Sequence, residues 1–114
     1  GRPVSIEDGR AVVELETSDE MAVDEYDLVH GGFVFGAADY AAMLAVNEPT
    51  VVLVGAETSF TAPTVVGDTI RATATVDEDA EGLVVECEVE TVGGGDRVFV
   101  GTFECAVPDE HVLA

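Results

Sequence analysis

The 114-residue chain contains no lysine and no tryptophan, and its four basic residues are all arginines. Against these stand 24 acidic residues, which give a formal net charge of −20. Nucleic acid is an unfavourable partner for such a chain, because binding it requires a basic surface. The acidic surface repels itself at low ionic strength, whereas molar salt shortens the Debye length to about 3 Å. The composition therefore predicts a halophilic protein of a salt-rich cytoplasm.

Long apolar runs are also missing from this sequence. No stretch approaches the ~20 consecutive apolar residues that a membrane-spanning helix needs, so no membrane partner is expected. Apolar residues nevertheless make up 47% of the chain, and this content argues against disorder despite the charge. The length suits one hydrophobic core, so we expect a single domain over residues 1–114.

Only two cysteines are present, Cys87 and Cys105, and they do not form a Cys-x-x-Cys motif. A metal site would need further ligands at suitable spacing, and only His30 and His111 could add to them, so no metal is predicted. Both cysteines fall in alternating strand patterns. We therefore expect reduced thiols in the core, with a disulfide between adjacent strands as the alternative.

Hydrophobic periodicity predicts one helix and five strands. The strands are expected at about residues 11–16, 50–60, 68–78, 82–92 and 97–107. The segment from Gly31 to Asn47 spans about 25 Å at helical rise and is too apolar for a surface helix, so we expect sheet to wrap it. Glu48-Pro49 should end the helix. Gly93-Gly94-Gly95 predicts a hairpin turn, since a phosphate-binding loop would need a following helix.

One carboxylate inside this apolar helix is the most informative functional signal. Asp39 is the only charged residue between Gly31 and Val46, so no neighbour three or four residues away can pair with it. Aspartate is unfavourable in a helix interior, and an unpaired buried carboxylate is costly. We interpret Asp39 as a functional group. The alternative is that it lies exposed on one helix face or caps another segment.

Two motifs frame this helix and the segment that follows the next strand. The first is His-Gly-Gly-x-x-Phe-x-x-Ala-Asp, from His30 to Asp39, and the second is Phe-x-x-Pro-x-x-x-Gly-Asp, from Phe60 to Asp68. With these motifs the chain resembles the hotdog-fold acyl-CoA thioesterases of the phenylacetic-acid-pathway type. The resemblance implies an α+β fold in which a five-stranded antiparallel sheet wraps around one long central helix. It implies no cofactor, because coenzyme A is part of the substrate.

The resemblance also implies an activity, the hydrolysis of an acyl-CoA thioester to the free acid and CoA. It makes Asp39 the catalytic carboxylate and the backbone N–H of Gly31 the oxyanion donor, with Gly32 as a second donor. Asp39 would either activate water or attack the thioester directly, and the sequence does not separate these routes. His30 would orient the loop or the thioester; a structural, hydrogen-bonded histidine is the alternative. Acyl-CoA binding or regulation without hydrolysis is the second class of function.

The spacing of Gly31 and Asp39 predicts a composite site. The two residues lie eight positions apart, about 12 Å along a helix axis, so one helix cannot present both groups to the same carbonyl. A neighbouring subunit must supply one of them. We therefore expect a two-fold homodimer with two sites, and a homotetramer built as a dimer of dimers is the larger alternative.

Further substrate-binding residues are expected on the helix and on two strands. Phe33, Phe35 and Tyr40 are candidates for an acyl pocket, although aromatic residues on a buried helix are often core. Arg71 and Arg97 are the strand cations available to meet the phosphates of CoA, against the alternative of solvated arginines.

Two positions depart from the pattern of the relatives that this chain resembles. Many of these relatives have a glycine three residues before the histidine and an asparagine six residues before it. This chain has Asp27 and Asp24 at those positions. Relatives in which the asparagine holds the nucleophilic water are therefore not a sound guide to the water site here.

Overall fold

The computed structural model describes residues 1–114, which form six strands and one α-helix. In chain order these are β1 (Arg2–Glu7), β2 (Arg10–Glu16), α1 (Gly31–Val46), β3 (Val52–Phe60), β4 (Thr69–Val76), β5 (Leu83–Thr91) and β6 (Arg97–Ala106). The strands form one antiparallel sheet in the order β1-β2-β4-β5-β6-β3. The helix packs on one face of this sheet, mainly against β2, β4 and β5. The predicted α+β architecture is confirmed.

The prediction of five strands is wrong by one, because β1 is an additional strand at the edge of the sheet. It pairs with β2 through a turn at Asp8-Gly9, where Gly9 has a φ of 78°. An Asp-Gly pair between alternating apolar residues is a hairpin signal, and Val4 and Ile6 precede it in alternation. Both side chains remain exposed in the structure. The strand therefore lacks the buried face on which periodicity arguments depend.

The core forms where the inward side chains of the strands meet the buried face of α1. That face is built mostly of alanines. Its buried residues are Val34 and five alanines, Ala37, Ala38, Ala41, Ala42 and Ala45. The facing side chains of β4 and β5 are also buried: Ile70, Ala72, Ala74, Val85, Cys87 and Val89. The predicted period-two pattern of these two strands is confirmed. Small side chains on the helix let it lie close to the sheet.

Both ends of α1 are defined by capping residues. His30 is the N-cap, and its Nδ1 accepts the N–H of Gly32 at 2.8 Å. At the other end the helix stops at Val46, one residue before the predicted end, because Asn47 turns into the left-handed region with a φ of 54°. The Asn47 N–H donates to the carbonyl of Met43 at 2.9 Å.

The sheet covers only one side of α1, although the sequence predicts that sheet wraps this apolar helix. Gly32, Phe33, Gly36 and Tyr40 are exposed on the other side. Phe33 and Tyr40 are each 41% exposed. The chain alone therefore leaves an apolar helix face uncovered. None of its helical segments combines the length and hydropathy required to cross a membrane.

Candidate active site

The N-terminus of α1 carries an unpaired backbone donor. The Gly32 N–H is taken by His30, and the Phe33 N–H donates to the His30 carbonyl at 3.1 Å. The N–H of Gly31, the first residue of the helix, has no acceptor in the chain. Free N–H groups and the helix dipole together favour an oxygen that carries negative charge at this point.

The N–H of Gly32, the predicted second oxyanion donor, already donates a hydrogen bond to His30. Because its Nδ1 accepts a hydrogen bond from Gly32, a neutral imidazole here carries its proton on Nε2. The backbone N–H of His30 donates to the carbonyl of Met21 at 2.8 Å, which fixes the chain as it enters the helix. Gly32 can serve as a second oxyanion donor only if the His30 ring turns away.

A cavity of about 390 Å³ opens beside Gly31. Its lining comes from the residues before the helix, the first helical turn and the segment after β3: Leu28, Val29, Gly31, Val34, Phe60, Thr61, Ala62, Pro63 and Thr64. The two sequence motifs thus meet at one place, since Gly31 belongs to the first motif and Phe60 and Pro63 to the second. The side chains around the free N–H are mainly apolar.

The segment 61–68 connects β3 to β4, as the second motif predicts, and hydrogen bonds fix its far end. Thr17 Oγ1 donates to the carbonyl of Asp68 at 2.7 Å and accepts the N–H of Gly67 at 3.0 Å. Gly67 has a φ of 100°, a conformation that residues with a Cβ rarely adopt. The Asp68 carboxylate accepts the N–H of Val65 at 3.1 Å. The Gly-Asp pair of the motif therefore builds the turn that leads into β4.

The same segment is also tied to the residues that lead into α1. The Val29 N–H donates to the carbonyl of Thr64 at 2.8 Å, and the Val66 N–H donates to the carbonyl of Asp27 at 2.9 Å. Leu28 forms an isolated antiparallel bridge with Val65. These contacts hold the wall of the cavity at a fixed distance from the helix N-terminus.

Asp24 and Asp27, the two departures from the motif of the relatives, both shape the loop before the helix. Asp27 has a φ of 62°, in the left-handed region that glycine adopts freely and aspartate tolerates. Asp24 Oδ1 accepts the N–H groups of Tyr26 at 3.0 Å and Leu28 at 3.2 Å. The Asp24 carboxylate is therefore engaged with its own loop.

Asp39 lies two helical turns beyond Gly31 and does not line the cavity. Its side chain is half-buried, and its Oδ1 is fully buried without a hydrogen-bond partner. Burial raises the pKa of the Asp39 carboxyl above its ordinary value. The Asp39 side chain forms no hydrogen bond to another segment of the chain, so it does not cap one.

The thiols of Cys87 and Cys105 are buried and are not joined by a disulfide. Cys87 Sγ donates to the carbonyl of Ala38 at 3.6 Å. Burial first, and then the charges of Cys105, Asp39 and Glu86, raise the pKa of Cys87 to about 12. Burial and Asp39 likewise raise the pKa of Cys105. Protonated thiols are poor nucleophiles, which leaves the carboxylate as the candidate reactive group.

The aromatic candidates for an acyl pocket do not line the cavity beside Gly31. Phe35 packs in the core, with its ring centroid 5.4 Å from that of Phe103 and 6.3 Å from that of Phe99. Phe33 and Tyr40 lie on the uncovered face of the helix instead. Phe60 forms the aromatic wall of this cavity instead; it is not among the predicted pocket residues, although it is the first residue of the second motif.

Both strand arginines are engaged by glutamates. Arg71 Nε and Nη2 donate to Glu14 Oε2 at 2.9 and 2.8 Å. Arg97 Nη2 lies 3.1 Å from Glu88 Oε2. A CoA phosphate at either arginine would therefore compete with a carboxylate. No cluster of three or more histidine, cysteine, aspartate or glutamate side chains is arranged to hold a metal ion, and His111 is exposed near the C-terminus.

A larger groove of about 550 Å³ lies across strands β3 to β6 and is lined mainly by threonine and glutamate residues. None of its lining residues is positively charged, and no helix end points a free N–H into it. An anionic or acyl ligand finds no complementary group there. We therefore place the candidate site at the N-terminus of α1.

A long helix packed on an antiparallel sheet, with its N-terminus open to an apolar cavity, is the arrangement of a hotdog fold. The crystal structure of an uncharacterized protein from Pyrococcus horikoshii is 53% identical to this chain, covers 100% of it and 87% of its own length, and superposes with a TM-score of 0.94. The chain belongs to the family of that protein.

Two further solved structures carry names that bear on ligands or pathways. The PaaI protein from the phenylacetic acid degradation operon of Escherichia coli is 25% identical, with a TM-score of 0.84 over 96% of this chain and 80% of its own. A Streptococcus mutans protein bound to acetyl CoA is 23% identical, with a TM-score of 0.83 over 96% of this chain and 90% of its own. These similarities confirm the predicted hotdog fold.

One relative among curated proteins is named as an enzyme of a different class, an isomerase. The methylthioribose-1-phosphate isomerase of Aquifex aeolicus is 50% identical over 103 residues, which are 90% of this chain and 22% of that protein. The chain thus spans about a fifth of the length of the curated relative it matches, and most of the isomerase has no counterpart in it. No protein-family model matches the sequence.

Proposed function

We propose that this protein hydrolyses an acyl-CoA thioester to the free acid and CoA. The observation that carries the proposal is the unpaired N–H of Gly31, which stands at a helix N-terminus beside an apolar cavity. A thioester carbonyl needs such a donor, because its oxygen gains negative charge when the carbon is attacked. The apolar wall formed by Phe60, Ala62 and Pro63 suits an acyl chain better than a charged group.

In the proposed reaction the carbonyl oxygen accepts the Gly31 N–H while Asp39 acts on the other side of the carbon. As a general base, Asp39 removes a proton from water, the water oxygen bonds to the carbonyl carbon, and the C–S bond breaks to release CoA as the thiolate. As a nucleophile, Asp39 forms a mixed anhydride and releases CoA, and water then hydrolyses the anhydride. The buried, unpaired Oδ1 of Asp39 is compatible with both routes.

The proposal requires a homodimer, because Gly31 and Asp39 are separated by about 12 Å along α1. Two surfaces support such an assembly. The nine-residue strand β3 ends the sheet and pairs only with β6, so its other edge is unpaired. The uncovered face of α1 presents Phe33 and Tyr40.

The two edges of the sheet differ in a way that favours association through β3. At the opposite edge, β1 carries Arg2 and Pro3, residues that discourage edge pairing. In β3 the only charged residue is Glu57, and no proline interrupts the strand. We therefore propose a two-fold dimer in which β3 and the uncovered face of α1 contact their counterparts, so that Asp39 of one subunit reaches the Gly31 site of the other.

The activity is tested by measuring free thiol release from a panel of short, branched, aryl and long acyl-CoAs in molar KCl. We expect turnover of at least one member by the wild-type protein and none by Asp39→Asn. Wild-type turnover that Asp39→Asn retains would overturn the role of Asp39. Absence of turnover across the panel would overturn the hydrolase proposal.

A second candidate function is acyl-CoA binding without hydrolysis. The observation that favours it is the engagement of the Asp24 carboxylate by two backbone N–H groups of its own loop. That carboxylate stands where relatives that the chain resembles place an asparagine for the nucleophilic water. Saturable binding of an acyl-CoA by calorimetry, together with no thiol release, would select this function.

A further inference from the structure

One polar side chain at the candidate site has no partner in the folded chain. Thr64 lines the cavity beside Gly31 and is 3% exposed. Its backbone carbonyl accepts the Val29 N–H at 2.8 Å, but its Oγ1 is fully buried without any hydrogen-bond partner. A buried hydroxyl without a partner destabilises a fold. The threonine at this position is therefore not explained by the stability of the chain.

Neighbouring threonines show that the surrounding structure can satisfy a hydroxyl. Thr17 is also nearly buried, and its Oγ1 donates to the carbonyl of Asp68 and accepts the N–H of Gly67. Thr61 Oγ1 donates to the carbonyl of Arg97 at 2.8 Å. Thr64 differs from both, because its hydroxyl is the one left without a partner. An unsatisfied hydroxyl at a cavity wall needs a partner from outside the chain, which is either a bound water or a ligand.

We propose that Thr64 Oγ1 is the second hydrogen-bond donor to the thioester carbonyl oxygen, beside the N–H of Gly31. This inference rests on the proposed thioester function. Gly32, the expected second donor, is held by His30 Nδ1 at 2.8 Å. Thr64 lines the cavity, and a turn of its side chain about the Cα–Cβ bond would bring Oγ1, which is buried in its present rotamer, to an oxygen placed there, to which the hydroxyl can donate.

The position of Thr64 is fixed before any substrate binds. Its segment is anchored to the chain before α1 by the bond from Val29, and to the end of β2 by the bonds of Thr17, the residue that follows this strand. A donor on an anchored backbone needs only a side-chain rotation when the substrate binds, and it is then held in place at the moment of reaction. A threonine on this anchored segment therefore suits the proposed task better than one on a free loop.

The first test compares Thr64→Val, which removes the hydroxyl at nearly constant volume, with Thr64→Ser, which keeps it. We expect Thr64→Val to lower kcat about 100-fold and to raise KM no more than several-fold, because an oxyanion donor acts mainly on the transition state. Thr64→Ser should retain most of the activity. Wild-type kcat in Thr64→Val would overturn the proposal.

Thermal stability distinguishes the proposed role from a structural one. Thr17→Val is the matched control, because it makes the same chemical change where the hydroxyl has partners. We expect the Tm of Thr17→Val to fall and the Tm of Thr64→Val to stay the same or rise. A Tm loss in Thr64→Val as large as that in Thr17→Val would assign the hydroxyl to the fold and overturn the proposal.

The second test separates this proposal from the proposed function. Calorimetry would measure binding of a CoA analogue whose sulfur is replaced by methylene, which keeps the carbonyl, and of an S-alkyl-CoA, which lacks it. We expect Thr64→Val to weaken binding of the ketone several-fold and to leave binding of the thioether unchanged. Equal effects on the two analogues would overturn the role of Thr64 alone. No binding of either analogue by the wild-type protein would overturn the thioester function as well.

Discussion

The aromatic ring of Phe60 lies against the backbone of Gly31, so that a methyl group on Gly31 would come within 3.1 Å of Phe60 Cε1. Phe60 in turn makes an edge contact with Phe99, with the ring centroids 5.2 Å apart. The second motif is thereby joined to the first motif on one side and to the core on the other. A glycine at the start of α1 keeps the N–H accessible and makes room for this ring.

The first prediction concerns this contact. Gly31→Ala retains the backbone N–H but adds a methyl group that must push the ring of Phe60, which is 55% exposed and can move. Alanine in place of glycine favours the helix by up to about 1 kcal/mol, and the displaced ring offsets this gain. We expect a small change in Tm and a lower turnover of acyl-CoA, because Phe60 lines the cavity.

A double-mutant cycle with Phe60→Leu provides the control. Shortening the side chain should relieve the contact, so Gly31→Ala/Phe60→Leu should be more active than Gly31→Ala alone. We expect a coupling of about 0.5 kcal/mol or more between the two positions. Additive effects of the two substitutions would show that the ring and the backbone of Gly31 act independently.

Periodicity in the sequence was sufficient to predict most of this fold, and the physical reason is burial. The strands β4 and β5 each place one face on the helix, so apolar and polar residues must alternate along them. The strand β1 has no buried face, and only the turn at Asp8-Gly9 and the alternation of Val4 and Ile6 before it marked this strand in the sequence. The uncovered side of α1 was equally hidden, because an apolar helix surface gives no indication of whether its own sheet or another chain covers it.

The site was predicted less completely than the fold. The motifs pointed to Gly31 and Asp39, since a glycine at a helix start and a lone carboxylate in an apolar helix are visible in the sequence. The hydrogen bond from Gly32 to His30 and the missing partner of Thr64 are not visible there. The first depends on the rotamer of the His30 side chain. The second depends on where a loop distant in sequence places a single hydroxyl. Residue spacing determines neither.

The second prediction uses the pKa of Asp39, which burial raises. A carboxyl whose pKa is higher in the folded than in the unfolded chain adds stability below its unfolded pKa and loses this contribution as pH rises through the folded pKa. We therefore expect Asp39→Asn to raise the Tm at neutral pH and to change it little below about pH 4, the ordinary range of aspartate. Thermal denaturation of both proteins across pH measures the difference.

Turnover should follow the opposite course from stability. Asp39 must be ionised to act as base or nucleophile, so wild-type activity should fall as pH decreases through its raised pKa, and Asp39→Asn should have no activity at any pH. Glu110→Gln is the matched control, because it removes one negative charge from an exposed position. A Tm gain in Glu110→Gln as large as that in Asp39→Asn would attribute the gain to net charge rather than to burial.

The third prediction is that the Tm rises with KCl concentration up to the molar range. The three ion pairs of the structure engage only two of the acidic residues, Glu14 and Glu88, so most of the negative charge has no cationic neighbour. Screening should therefore stabilise the folded chain. The double variant Glu57→Gln/Glu104→Gln removes two neighbouring charges and should reduce the salt dependence. A wild-type Tm independent of KCl would contradict the halophilic prediction.

The fourth prediction tests whether each site is built from two subunits. Gly31→Pro removes the candidate oxyanion donor at the first helical position, where proline is tolerated. His30 has a ψ of 129°, the extended conformation that a following proline requires. Proline also places a Cβ against Phe60, so Gly31→Ala, which has a Cβ and keeps the N–H, is the matched control. Gly31→Pro and Asp39→Ala should each be inactive when tested alone.

Mixing the two inactive variants should restore activity if the sites are composite. Random reassortment makes about half of the dimers hybrid, and each hybrid contains one doubly altered site and one intact site, so about a quarter of the wild-type sites should reappear. Native mass spectrometry would confirm subunit exchange, and circular dichroism would confirm that each variant is folded. Recovery indistinguishable from zero under these conditions would mean that both groups act within one chain or that one of them does not act. Because Gly31 and Asp39 are held about 12 Å apart on a single helix, we expect recovery.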